Sequence, residues 1–444
     1  MAAFRESIRV RWMGMTLMLV LAMGTGCQNL RREKVPPSPI EVLYLDSPAD
    51  SLNPLSAEEL RSAAEQIRLA RKPAQTPERT YNVLVLSGGG IFGAYSAGVM
   101  VGWTESGDRP NFDVITGIST GGLIAAVSFL GPEYDWLLRE LYTTVRNKDI
   151  FTIRPPLRAL SSDSIADTTP MAERLRRIVT PEMLQRVAAE HAKGRRLYIG
   201  TTNLPNRRLV VWDMGAIATR GTLESEALFE DLLLASSAVP GFFPPVRIAV
   251  DVDGTPYEEL HVDGGVSRSM FFRPPYIPPS QREGFGPTSL YGSNLYVLVA
   301  GKVYSDSDGV RPKPLAIASG AINSLLYSQA RGDIDRLYHY STLTGMNFHL
   351  SAIPPDFRMP NQSLKFDPEE MTRLFEEGRN SARERRVWRD TPPVLDRSEE
   401  LRARTGTRLT RDPSLNLEQS VATPSIHGPA PRSGIPPTIR PIQK

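Results

Sequence analysis

Residues 86–95 read LSGGGIFGAY: the end of an apolar run, a bare turn, and the start of a segment rich in small residues. Val83, Leu84, Val85 and Leu86 form the apolar run, which reads as a buried strand. Three adjacent glycines leave the backbone open to close approach, and amide N–H groups at a helix start attract negative charge. That charge is either a cofactor's phosphates or an oxyanion formed during a reaction, and the choice decides the fold's chemistry.

Beyond this turn, strand-like and helix-like segments alternate. Strands are expected at 81–86, 112–116, 196–202, 209–212 and 295–300, and helices at 92–105, 121–130 and 224–237. Such alternation predicts an α/β fold with a mainly parallel central sheet and helices on both faces. A long helix is expected at 368–389, followed by Pro-, Ser-, Thr- and Arg-rich sequence that lacks the apolar periodicity to pack and reads as disordered. Residues 28–79 carry Pro36, Pro37, Pro39, Pro48, Pro54, Pro73 and Pro77 around one short helical pattern, which reads as a tether.

Gly88, Gly90 and Gly93 satisfy G-x-G-x-x-G between a strand and a helix, the form of a dinucleotide site. That reading needs an acidic residue at the far end of the second strand. Asp113 lies instead at the strand's beginning, and Gly117-Ile118-Ser119-Thr120-Gly121 stands at its end. A G-x-S-x-G segment between a strand and a helix is a nucleophile elbow: a sharp turn exposes the serine Oγ, and the helix N-terminus favours developing negative charge. Loops at the carboxyl ends of neighbouring strands converge in such sheets. Ser119 is therefore the candidate nucleophile. The amides of Gly88, Gly89 and Gly90 are the candidate oxyanion donors, with Gly117 and Gly121 relieving crowding at the elbow.

A serine needs a base. Of the five histidines, His191 lies in a polar helical stretch, His427 in the tail, and His339 and His349 lack any flanking signal. His261 precedes Asp263-Gly264-Gly265, where a strand-like run turns sharply. Asp263 is either a surface-turn residue or a carboxylate aimed at Ser119. Ser236 and Ser237, at a helix end without flanking glycines, read as structural.

The chain has 444 residues, 41% hydrophobic and 23% charged, with a net charge of +3. This is an ordinary globular balance with no Lys/Arg block, which argues against a nucleic-acid partner. One cysteine among scattered histidines makes no metal or iron–sulfur pattern, so neither metal nor other cofactor is expected. Arg5, Arg9 and Arg11, an apolar run over 12–23, and Gly24-Thr25-Gly26-Cys27 have the layout of a secretory signal, and the run falls short of the roughly 20 residues a spanning helix needs. A small residue before Cys27 resembles a bacterial lipoprotein signal with Cys27 as the lipidated residue; the alternatives are an uncleaved anchor or a plain signal peptide. The resemblance implies a lipid-anchored protein of the cell envelope. The absence of an acidic residue at Gln28 points to the outer membrane, facing the periplasm.

The ensemble resembles the patatin-like phospholipases over residues 80–350. The glycine loop 88–93, the elbow 117–121, the Ser/Ala–Pro block ASSAVPGFFPP over 235–245, and Asp263-Gly264-Gly265 follow the family's order. The resemblance implies a three-layer α/β/α sandwich and a Ser119–Asp263 dyad in place of a triad. It further implies a lipid acyl hydrolase acting on phospholipid or lysophospholipid. Two positions depart from the family: Phe92 stands where a basic residue is common, and Ser87 where an aspartate is common. The loss at Phe92 leaves backbone N–H groups as oxyanion donors and keeps a second class in view, a silent envelope protein that binds lipid or a partner. The expected organisation is a signal at 1–26, a tether at 27–79, the catalytic domain at 80–350, a helical extension at 351–390 and a disordered tail at 391–444. The aromatic, Pro-stiffened stretch from Phe271 to Phe285 reads as a lid or membrane-contact loop, or as a Pro-rich surface excursion.

Overall fold

In strand β2 (Asn82–Leu86), Leu84 and Leu86 face one side and Val83 and Val85 the other, and all four are buried. A strand that is apolar on both faces belongs inside a sheet covered by helices on both sides. A computed structural model, which describes residues 43–44, 79–252, 254–272, 290–304, 312–360 and 362–395, places it there. Its sheet partners are β1 (Leu43–Tyr44), β3 (Val114–Ile118), β6 (Arg196–Asn203), β7 (Arg208–Asp213), β8 (Val246–Val252), β9 (Thr255–Asp263), β10 (Asn294–Val299) and β11 (Asn347–Ala352). The path across the sheet is β1-β7-β6-β3-β2-β10-β11. Strands β6, β3, β2, β10 and β11 run parallel, whereas β7 and β9 pair antiparallel with β6 and β8 forms a hairpin with β9. A separate ribbon joins β4 (Thr152–Ile153) to β5 (Ala166–Asp167).

Helices of nine or more residues are α1 (Gly93–Glu105), α2 (Thr120–Leu130), α3 (Asp135–Thr143), α4 (Thr169–Ile178), α5 (Pro181–Ala192), α6 (Leu223–Ser236), α7 (Pro314–Thr344) and α8 (Pro368–Arg383). The main core joins one sheet face to α1, α2, α6 and α8 through Leu84, Leu86, Ile115, Phe129, Phe229 and Phe375. On the other face, Val83, Val85, Val297 and Phe348 pack against Ile334 and Leu337 of α7. Phe271 closes a smaller cluster with Ile118, Tyr198, Leu209 and Val211. The result is the expected three-layer α/β/α sandwich with a mainly parallel sheet.

Several boundaries differ from the sequence expectation. β3 begins at Val114 because Phe112 packs its ring on Trp103, while Asp113 bonds Asn82 through both its N–H and its carboxylate. The strand then runs straight into Ser119. The helix expected to reach 389 ends at Arg383; Arg385 turns with φ 58°, and Arg389 pairs its backbone with Leu350 of β11. Residues 351–390 lie against the core, because Gly98 and Gly102 of α1 and Gly378 of α8 let the two helices touch backbone to backbone. A Cβ at any of the three would overlap the facing main chain. Within the expected tether, Leu43–Tyr44 pair with β7. The signal, Cys27, the rest of the tether, residues 273–289 and the tail beyond 395 lie outside the described residues, as does His427. Among the described residues, no helix is long and apolar enough to cross a membrane and no group of His, Cys, Asp and Glu is placed to hold a metal.

Candidate active site

Two strand ends meet on one flank of β6. Its other flank is occupied by β7 over residues 198–203, so β3, paired at 196–200, and β9, paired at 201–203, must share this one. They run toward one another: Ile118 sits opposite Gly200, and Asp263 opposite Thr201. Ser119 and Asp263, the residues at which β3 and β9 finish, are thereby brought together although far apart in sequence.

Ser119 has φ 55° and ψ −129°, a backbone conformation that costs a residue with a Cβ of order 1–3 kcal/mol. The elbow's glycines explain why the turn still forms. A Cβ on Gly117 would overlap the Gly121 carbonyl, and one on Gly121 would lie 2.5 Å from the Ser87 carbonyl oxygen. The Ser119 N–H donates to Ser236 Oγ at 2.9 Å, and the Ser236 hydroxyl donates to the Gly200 carbonyl at 2.8 Å. The last residue of α6 thus ties the elbow to β6. Ser236 reads as merely structural in the sequence, and no sequence signal marks its bond to the nucleophile's own amide.

Asp263 is buried, and its carboxyl lies near enough to the Ser119 side chain for that hydroxyl to act on its titration. Its Oδ1 accepts the Gly265 N–H at 2.7 Å, and its own N–H donates to the Ala238 carbonyl at 2.9 Å. Burial pushes the carboxyl up to about 6, against the opposing pull of the hydrogen bonds from Ser119 and Gly265. Asp263 is therefore not a surface-turn residue.

The glycine loop lies against the nucleophile: a Cβ on Gly88 would stand 3.2 Å from Ser119 Cβ. Gly89 presses on the Ala300 carbonyl, and Gly90, at φ 58°, on the Ser363 carbonyl, so neither position admits a side chain. The three amides are not equivalent. Gly88 donates its N–H to the Ser269 carbonyl at 3.1 Å, whereas those of Gly89 and Gly90 find no acceptor among the described residues. Ser87 Oγ accepts the Ala300 N–H at 2.8 Å and donates to the Gly88 carbonyl at 2.9 Å, which pins the loop to the end of β10. Phe92 is half-buried and packs on the main core.

The described histidines stay away from this centre. His261 is fully buried between Thr201 (2.9 Å) and Glu259 (3.0 Å), its ring against Trp212. His191 approaches Asp213, His349 stacks on Tyr296, and His339 is exposed on α7. Phe271 is 3% exposed in the cluster beneath Ile118, so the lid expectation fails at its first residue; the remainder of that stretch from residue 273 lies outside the described residues.

Ser119 opens into an apolar cleft of about 750 Å³, its open mouth included. Leu141, Val145, Leu175, Phe243 and Phe366 line it together with Gly90 and Ser119. Ser237 also lines it, and its buried Oγ has no hydrogen-bond partner. The cleft's lining is almost wholly apolar, the character of a site for an apolar group.

Residues 84–276 match the family model of the patatin-like phospholipases. Thirteen chains of solved structures are similar to this one. One is the crystal structure of VipD from Legionella pneumophila, 13% identical over 71% of this chain and 72% of that chain, with a TM-score of 0.33. No curated protein matches the chain.

Proposed function

Starting from a chain that carries a patatin-like phospholipase domain, in a family of lipid-hydrolysing esterases, we propose that this protein is a serine acyl hydrolase of lipid carboxylic esters working through a Ser119–Asp263 dyad. Asp263 accepts the Ser119 proton as Oγ attacks the ester carbonyl. The Gly89 and Gly90 amides stabilise the oxyanion, with Gly88 holding the loop in place. Collapse expels the alcohol, which takes the proton from Asp263 and leaves an acyl–serine. Water, deprotonated by Asp263, then releases the fatty acid. An aspartate near 6 is a far better base at neutral pH than one in the usual carboxylate range, and raising it by burial requires no third residue. The cleft takes the acyl chain, so phospholipid or lysophospholipid is the proposed substrate class.

The observation that carries this reading is the strained, buried Ser119 beside buried Asp263, where β3 and β9 finish against neighbouring residues of β6, with Ser119 lining an apolar cleft. A fluorophosphonate probe together with p-nitrophenyl ester turnover tests it. Wild-type protein is labelled and active, and Ser119→Ala is neither; labelling that persists in Ser119→Ala removes the serine from its role. Export and lipid anchoring at Cys27 in a bacterial envelope belong to the same proposal. They are checked by metabolic palmitate labelling, which Cys27→Ser abolishes if the anchor exists.

A further inference from the structure

Helix α7 connects the parallel strands β10 and β11, so it runs from the carboxyl edge of the sheet back to the amino edge. Its hydrogen bonds mark its height along that path. Past its end, the Gly345 carbonyl accepts the Gly292 N–H beside the start of β10. Asp333 accepts the Ser269 N–H, and the Ser269 carbonyl in turn holds Gly88 of the glycine loop. The Tyr327 hydroxyl and the Arg331 guanidinium donate to the Val303 carbonyl, already beyond the end of β10 at Val299. Residues 314–326 therefore project past the edge of the sheet that carries Ser119 and Asp263. At 1.5 Å per residue this is about 20 Å of helix.

No charged residue occurs between Lys313 and Arg331. At 3.6 residues per turn, Ile317, Ala318, Ala321, Ile322, Leu325 and Leu326 share one half of the helix, with Gly320, Asn323 and Tyr327 on the other. The large side chains of this face are open: Ile317 55%, Ile322 57%, Leu325 70% and Leu326 45% exposed. On the same edge, the excursion between β4 and β5 exposes Leu157 and Leu160. It is joined by Ile165 and Ala166 to Gly241 and Phe242, next to Phe243 of the cleft wall. Apolar surface exposed past the sheet edge that carries Ser119 matches the layer in which acyl chains reside, and the lack of charge over residues 314–330 offers nothing to an anionic partner.

Building on the lipid-ester reading above, we propose that residues 317–326 of α7 form a lipid-surface docking element, whose apolar face inserts among the acyl chains of the bilayer that presents the substrate. Apolar burial holds it there, so docking occurs on neutral phosphatidylcholine and withstands high salt, and it strengthens on small, highly curved vesicles whose packing defects admit side chains.

The test uses the full chain, whose one cysteine is Cys27. In a Cys27→Ser, Ser119→Ala background, Leu325→Cys or Asn323→Cys carries an environment-sensitive fluorophore, and phosphatidylcholine vesicles are added. The label at 325 shifts to the blue and is quenched by lipid-borne quenchers at low and high salt, while that at 323 does neither. With Ser119 intact, the double variant Ile322→Asp, Leu325→Asp loses about tenfold or more in vesicle hydrolysis while hydrolysing soluble p-nitrophenyl butyrate like wild type. A silent label at 325, equal responses at both positions, a need for anionic lipid, or full vesicle hydrolysis by the double variant each overturns the proposal. So does a label at 325 already shielded without vesicles, which would assign the face to a second copy or to another segment of this chain. If butyrate is not hydrolysed by wild type, the esterase reading falls, and the fluorescence in the Ser119→Ala background still decides docking on its own.

Discussion

Replacing Asp263 with asparagine separates the stability of this protein from its activity. Asp263 is buried, and its carboxyl rises from an ordinary 3.8 to about 6. A raised carboxyl contributes stability only while protonated: the contribution is complete below pH 3.8 and is lost as pH rises through 6. At 1.36 kcal/mol per pH unit, ionised Asp263 costs the folded protein about 3 kcal/mol at pH 8. Asparagine keeps the shape and an oxygen for the Gly265 N–H but cannot ionise. Asp263→Asn is therefore more stable than wild type at pH 8 by about 3 kcal/mol, or about 5 °C in melting temperature for a domain near 300 residues. The difference shrinks to about 0.5 kcal/mol at pH 4. Activity moves the opposite way: the variant loses ester hydrolysis, and wild-type kcat/KM falls tenfold per pH unit below about 6. Thermal melts at both pH values and a pH–rate profile on a soluble ester provide the readouts. A variant whose stability relative to wild type is the same at pH 4 and pH 8, or an acid limb near pH 4, would refute the argument that burial tunes this carboxylate.

Other expectations concern the elbow and the cleft. Ser236→Ala removes the acceptor of the Ser119 N–H and lowers kcat roughly ten- to hundredfold with KM little changed, because a buried amide is left unpaired beside the nucleophile. Gly121→Ala forces a Cβ against the Ser87 and Leu86 carbonyls and costs about 3 kcal/mol or more, seen as a lower urea midpoint. Met171→Trp fills part of the cleft, so turnover of long-chain p-nitrophenyl esters falls severalfold while butyrate is spared. Equal loss on both chain lengths would show that the acyl chain lies elsewhere.

Much of the site was legible because its parts are local backbone devices. Gly117 and Gly121 flank a serine for steric reasons that operate within five residues, and β2 betrays itself by being apolar on both faces. The helix pair α1–α8 was not legible: Gly98, Gly102 and Gly378 have meaning only once the two backbones touch. Nor was the inequality of the loop amides, since the Ser269 carbonyl that engages Gly88 lies 181 residues along the chain. Phe271 misled for the same reason, being an aromatic beside Pro-rich sequence whose burial depends on β6 and β7.

What the amino-acid order alone determined was the alternation of elements, the elbow, the glycine loop and the aspartate turn, because periodicity and steric need are encoded in neighbouring residues. Whether Asp263 reaches Ser119 was settled only by the sheet, where β9 enters antiparallel on the flank of β6 that β3 vacates. The same folding buries the carboxylate and raises its pKa. Pairing across a sheet and exclusion of water are properties of the whole chain, and no single stretch of it contains them.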